Sequence, residues 1–128
     1  MTEGRVLVAD DDAGIRQSTV EILRGMGYSV SAAQDGEEAL TELAVGDIEA
    51  IVLDVRMPRR DGISVIEEMD PPPPPPGVLL VSAYDIERET RSQLGRRVYR
   101  VLRKPVSPPV LIAAVEEAVE LARSIPRP

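Results

Sequence analysis

The sequence contains neither histidine nor cysteine. Without cysteine there is no disulfide and no thiol nucleophile. Without either residue the usual zinc ligands are missing and no histidine-based triad can form. Nor can the chain carry a phosphoryl group on an imidazole. Long hydrophobic runs are absent too, and no segment shows a signal-peptide pattern, so the expectation is a cytoplasmic protein with no membrane segment. Positive charge is in short supply: 15 basic residues stand against 22 acidic ones, a net charge of −7. That balance argues against direct nucleic-acid binding, which needs a basic face for phosphate. Whatever chemistry occurs must run on carboxylates, hydroxyls and amines.

What is present suits one globular domain with a single core at 128 residues. Short apolar runs recur at Val6–Ala9, Tyr28–Ala33, Ile51–Leu53, Val78–Val81 and Val98–Leu102. The unbroken ones read as strands buried on both faces, as in a parallel sheet. Helical spacing fills the intervals. A first helix from about Ala13 carries Ile15, Ile22, Leu23 and Met26 and stops at Gly27. A second carries Ala39, Leu40 and Leu43 and closes near Gly46, and a short third carries Ile63, Ile66 and Met69. The segment Asp85–Gly95 reads as a polar, loose helix anchored by Ile86 and Leu94 alone. After Pro108 and Pro109, the positions Leu111, Ala114, Val115, Ala118, Leu121 and Ala122 form the clearest helical stripe. Asp35-Gly36 and Asp61-Gly62 read as tight turns. Pro71 to Pro76 ends the third helix by Asp70 and is expected to be a stiff polyproline II connector spanning about 19 Å. A docking ligand for a proline-binding module is the less favoured reading. Residues 1–124 are expected to form the domain, and 125–128 a tail or linker start.

Strands alternating with helices imply an α/β fold of parallel βαβ units with right-handed crossovers. All strand carboxyl ends then lie on one edge, where ligands bind in open α/β sheets. The residues at those ends are Asp10 and Asp11, Asp54, Ser82 and Lys104. Three close carboxylates and one ammonium leave a net charge of −2, which a divalent cation would cancel. An oxygen-only donor set suits Mg²⁺. The cation and Lys104 could clamp the oxygens of a phosphoryl group, with Asp54 as the central nucleophile and Ser82 as a hydroxyl donor. Asp12 reads as the cap of the first helix.

The motifs VADDD, LDVRMPRRDG, VLLVSAY and VLRKP together resemble the response-regulator receiver domain, the chemotaxis-regulator-like family of two-component signalling, from about Val6 to Ala122. That resemblance implies a flavodoxin-like, doubly wound five-stranded parallel sheet in the order 2-1-3-4-5, flanked by five helices. It implies that Asp54 is the phosphoacceptor, that Asp11 binds the metal directly and Asp10 largely through water, and that the Arg56 backbone carbonyl is a further ligand. It makes Ser82 the switch hydroxyl and Lys104 the phosphate-binding lysine, with a cis Lys104-Pro105 peptide. The partners implied are a sensor histidine kinase or histidine phosphotransfer protein and a downstream protein target, with phosphorylation-dependent dimerisation as an open option. The chain departs from the family where a switch aromatic is usual: that position holds Val101, and Tyr99 lies two residues earlier.

Two other readings stand beside this one. Aspartyl phosphatases of the haloacid-dehalogenase type also use a strand-end Asp with Mg²⁺, but their second acid would fall at Arg56 here, which argues against turnover of external substrates. A receiver-like binding module that is never phosphorylated would not need the full set of Asp10, Asp11, Asp54, Ser82 and Lys104.

Overall fold

The computed structural model describes residues 4–124. The predicted tail, 125–128, lies outside them. Five strands, β1 (Arg5–Ala9), β2 (Ser29–Ala33), β3 (Ala50–Asp54), β4 (Gly77–Ser82) and β5 (Arg100–Arg103), pair in parallel in the order β2-β1-β3-β4-β5. The helices α1 (Ala13–Gly25), α2 (Gly36–Val45), α3 (Gly62–Glu68), α4 (Arg88–Leu94) and α5 (Pro108–Ser124) connect and follow them. The order is the expected one, and it places the ends of β1, β3 and β4 side by side.

The sheet divides the core in two. Val6, Val8, Val52, Leu79 and Val81 face the side covered by α1 and α5. Leu7, Ile51, Leu53, Val78 and Leu80 face the side covered by α2, α3 and α4. Every residue of β3 and β4 is buried, which is why these strands read as unbroken apolar runs. Each such Val, Leu or Ile contributes on the order of 1.5–3 kcal/mol over its exposed state, so the centre of the sheet is the firmest part of the domain. The stripe residue Ile15 is exposed on α1, and on α5 Leu121 is exposed while Val119 is buried.

Both Asp-Gly pairs do something other than turn. Asp35 caps α2 by accepting from the Glu38 amide, and Asp61 caps α3 by accepting from the Ser64 amide, at 2.9 and 2.8 Å. The glycines are the first helical residues. A Cβ on Gly62 would lie 2.4 Å from the Asp54 carbonyl oxygen, and one on Gly36 would lie 2.1 Å from that of Arg60. Glycine is therefore required there for close backbone approach rather than for a turn.

Three further expectations are corrected. The fourth helix begins at Arg88 rather than Asp85, and a 3-10 turn, Gly95–Arg97, follows it. The fifth strand begins at Arg100 rather than Val98. The proline run is not a straight polyproline II rod: the chain bends over 72–74, where the Pro73-Pro74 bond is cis, and Pro72 packs against Gly46 at the end of α2. It remains a connector between α3 and β4, folded onto the domain instead of stretched across it.

Candidate functional site

Asp10 follows β1, Asp54 ends β3, Ser82 ends β4 and Lys104 follows β5, so four rigid strands deliver these side chains to one edge. Asp10, Asp54 and Ser82 are buried, whereas Asp11 is exposed. They line a hollow of about 350 Å³ with Asp11, Arg56 and Lys104. All the predicted site residues are therefore brought together.

Lys104 holds the centre. Its Nζ lies 3.2 Å from Asp10 Oδ2 and 3.2 Å from Asp54 Oδ2. Burial alone would lower the lysine pKa, but the hydrogen bond and charge of Asp10, with those of Asp54, outweigh it, and the net shift is upward. Asp54 is pushed up to about 6, first by burial and next by the negative charge of Asp10, with Lys104 and the Arg56 amide opposing. The Lys104-Pro105 peptide is cis, as the resemblance implied.

Hydrogen bonds fix the remaining atoms. Asp10 Oδ1 accepts from the Asp12 amide at 2.9 Å, and Asp12 in turn caps α1 by accepting from the Ile15 amide at 3.0 Å. The Arg56 amide donates to Asp54 Oδ1 at 3.4 Å. The Tyr84 amide donates to Ser82 Oγ at 3.1 Å, which leaves the Ser82 hydroxyl proton free to be given elsewhere.

Oxygens of Asp10, Asp11 and Asp54 all lie within 4.8 Å of one another. A donor set of carboxylates alone, in a chain with no imidazole or thiolate, can hold a hard cation. Asp12 stands outside that set because its side chain is engaged at the helix start.

Two residues at this edge escaped the sequence reading. Arg16 donates from NH1 to the Asp10 carbonyl at 2.8 Å. Arg103 donates from Nε to the Ala83 carbonyl at 3.0 Å and from NH1 to Asp85 at 2.5 Å. Arg16 belongs to no motif, whereas Arg103 lies within VLRKP, and its signal was its place beside Lys104 at a strand end.

The family model for the response regulator receiver domain matches residues 6–116. Response regulator MprA of Mycolicibacterium vanbaalenii is 38% identical over 109 residues, which are 85% of this chain and 47% of that protein. The chain therefore spans about half the length of such relatives. A CheY-like response regulator receiver domain protein from Methanospirillum hungatei superposes with a TM-score of 0.83 at 25% identity, over 94% of this chain and 96% of its own. The receiver domain of Francisella response regulator 1452 gives 0.77 at 30% identity, over 92% and 98%.

Proposed function

The chain belongs to the response-regulator receiver-domain family, the phosphorylation-dependent switches of two-component signalling, and from that premise we propose that Asp54 accepts the phosphoryl group from a phosphohistidine donor. One observation carries the assignment: Lys104 Nζ stands 3.2 Å from both Asp10 and Asp54, so a single ammonium organises a buried carboxylate pair at the sheet edge.

In this reading an Asp54 carboxylate oxygen attacks phosphorus. The donor N–P bond breaks as the new O–P bond forms, and the imidazole nitrogen leaves with the electron pair. An acyl phosphate results. Lys104 pairs with a phosphoryl oxygen as its contact to Asp54 loosens, and the free Ser82 hydroxyl proton is donated to another. Asp10, Asp11, Asp54 and the Arg56 backbone carbonyl would hold Mg²⁺, whose bound form supplies positive charge to the phosphoryl oxygens. The later attack of water on phosphorus returns the carboxylate and releases inorganic phosphate.

The donor is a sensor histidine kinase or histidine phosphotransfer protein, and the output is contact with a downstream protein, with phosphorylation-dependent dimerisation as one form of it. Direct nucleic-acid binding is not expected of so acidic a domain. Among the described residues no helix is long and apolar enough to cross a membrane, which supports a cytoplasmic placement. Arg56, standing where a phosphatase would need an acid, supports a switch rather than a turnover enzyme.

Incubation with Mg²⁺ and acetyl phosphate tests the proposal. A lasting phosphoryl adduct by intact mass, absent from Asp54→Asn, is the expected result. Continued fast phosphate release would mean a phosphatase. Neither adduct nor release would mean a binding module.

A further inference from the structure

The β4–α4 loop carries Ser82 at its start and is lightly held beyond it. Glu87, which precedes α4, makes no side-chain cap to the helix, and Leu94 alone of the α4 residues is buried. Ile86, Val98 and Val101 are only partly buried against the core on that side, and Val101 offers neither a ring nor a polar group. A segment with so few buried contacts opens at low free energy.

The loop is fastened to the end of β5. Ser82 pairs in register with Arg103, and the Lys104 amide donates to the Ser82 carbonyl at 2.8 Å. The Arg103 side chain then reaches the next groups of the loop, the Ala83 carbonyl at 3.0 Å and the Asp85 carboxylate at 2.5 Å. Both partners of that ion pair are largely exposed, 60% for Arg103 and 92% for Asp85. An exposed pair adds little to global stability and breaks easily. Its place matters more than its strength, because with the bond to the Ala83 carbonyl it ties the loop that follows Ser82 to the residue before Lys104, one strand end to the next.

We propose that Arg103 is a positioning residue for the phosphoryl-transfer site: it latches Ala83 and Asp85 to β5 in the unphosphorylated chain and is displaced when Ser82 turns to the phosphoryl group. This rests on Asp54 phosphorylation as proposed above. Movement of Ser82 carries the Ala83 carbonyl with it, because the two are adjacent on the backbone. The Arg103 backbone stays paired in β5, so a shift of the loop draws the Ala83 carbonyl away from the guanidinium. Release of the latch frees α4, so that the state of Asp54 is read out on that face through Arg103.

Amide hydrogen exchange over residues 83–97, with intact mass on the same samples, tests this in the full chain with and without acetyl phosphate and Mg²⁺. The variants are Arg103→Ala, Arg103→Lys and Asp85→Asn. Before phosphorylation, Arg103→Ala should raise exchange over the segment roughly two- to five-fold, the range expected when an exposed pair and one hydrogen bond are lost. Phosphorylation should raise exchange in the wild type to a similar level and add little in Arg103→Ala. Incorporation should be roughly two- to five-fold faster in Arg103→Ala, which no longer breaks the latch. Arg103→Lys should fall between, since an ammonium lacks the fork that spans both acceptors. Should Arg103→Ala not fold, Asp85→Asn keeps the arginine and answers the same question with a smaller rise. A wild-type adduct with unchanged exchange over 83–97 overturns the latch and leaves the Asp54 reading standing. So does an equal rise in wild type and Arg103→Ala. No adduct in the wild type overturns both.

Discussion

The Arg56 guanidinium stacks on the Tyr84 ring, 4.7 Å from its centre. Arg56 lies two residues beyond Asp54 and Tyr84 two beyond Ser82, so the loops after β3 and β4 meet over the mouth of the site. Both side chains are exposed. Water that hydrolyses an acyl phosphate must approach phosphorus opposite the Asp54 oxygen, and Arg56 and Tyr84 both line the hollow through which it would enter.

Slow self-dephosphorylation is therefore expected of the wild type. Because each side chain holds the other, Arg56→Asn and Tyr84→Ala should each speed decay a few-fold, roughly the effect of an exposed cation–π pair. The double variant should decay no faster than the singles, since either loss already opens the stack. Decay after donor removal is the measurement, and rates that multiply in the double variant would rule out a joint gate.

Adjacent aspartates should separate cleanly into two functions. Asp11→Ala should cost Mg²⁺ affinity with little change in stability, because Asp11 is exposed and its carboxylate lies within the three-aspartate cluster. Asp12→Ala should do the opposite, losing the cap on the Ile15 amide and about 1 kcal/mol of stability while keeping most of the affinity. Metal titration and urea unfolding on both variants decide it. Equal affinity losses would mean that the cluster extends to Asp12.

Much of this site was legible because rigid elements place it. Asp54, Ser82 and Lys104 follow apolar runs whose burial is written in their composition, and parallel topology alone brings the ends together. Interactions that depend on backbone approach were not legible. Gly36 and Gly62 carry the residue signature of a turn, but their lack of a Cβ serves contacts to Arg60 and Asp54, and only the fold reveals those. The bend at 72–74 was hidden for a similar reason, since six identical residues give no sign of where the chain must fold back. Arg103 escaped because an exposed arginine on an edge strand looks like any solvated charge until Ala83 and Asp85 are seen beside it.

Gly62→Ala should damage the site through the backbone. The new Cβ would meet the Asp54 carbonyl oxygen at 2.4 Å, and neither β3 nor α3 can yield without moving the other. Overpacking of this kind typically costs about 1–3 kcal/mol. Phosphate incorporation should fall as well, because Asp54 itself is displaced. Normal stability with normal incorporation would show that α3 shifts freely.

The pH dependence of the metal-free protein should reveal Asp54. Its carboxyl is raised from 3.8 to about 6 in the folded chain, chiefly by burial and then by Asp10. Between those values the folded chain binds a proton that the unfolded chain has released. Stability from this group is thus full below about pH 4 and is lost as pH rises through 6. Asp54→Asn removes the titration, so the variant should be more stable than the wild type near pH 7, by on the order of 1 kcal/mol after allowance for solvent screening. The two should converge near pH 4. Lys104 keeps its pairing with Asp10 in the variant, which preserves the rest of the site. Mg²⁺ should reverse the order at pH 7, since the cation favours the ionised carboxylate that only the wild type offers. Urea unfolding in EDTA and in Mg²⁺, across that pH range, measures all three effects. A constant stability difference from pH 4 to 7 in EDTA would mean that Asp54 titrates as an ordinary carboxyl and that its burial with Asp10 exerts no pressure on its charge.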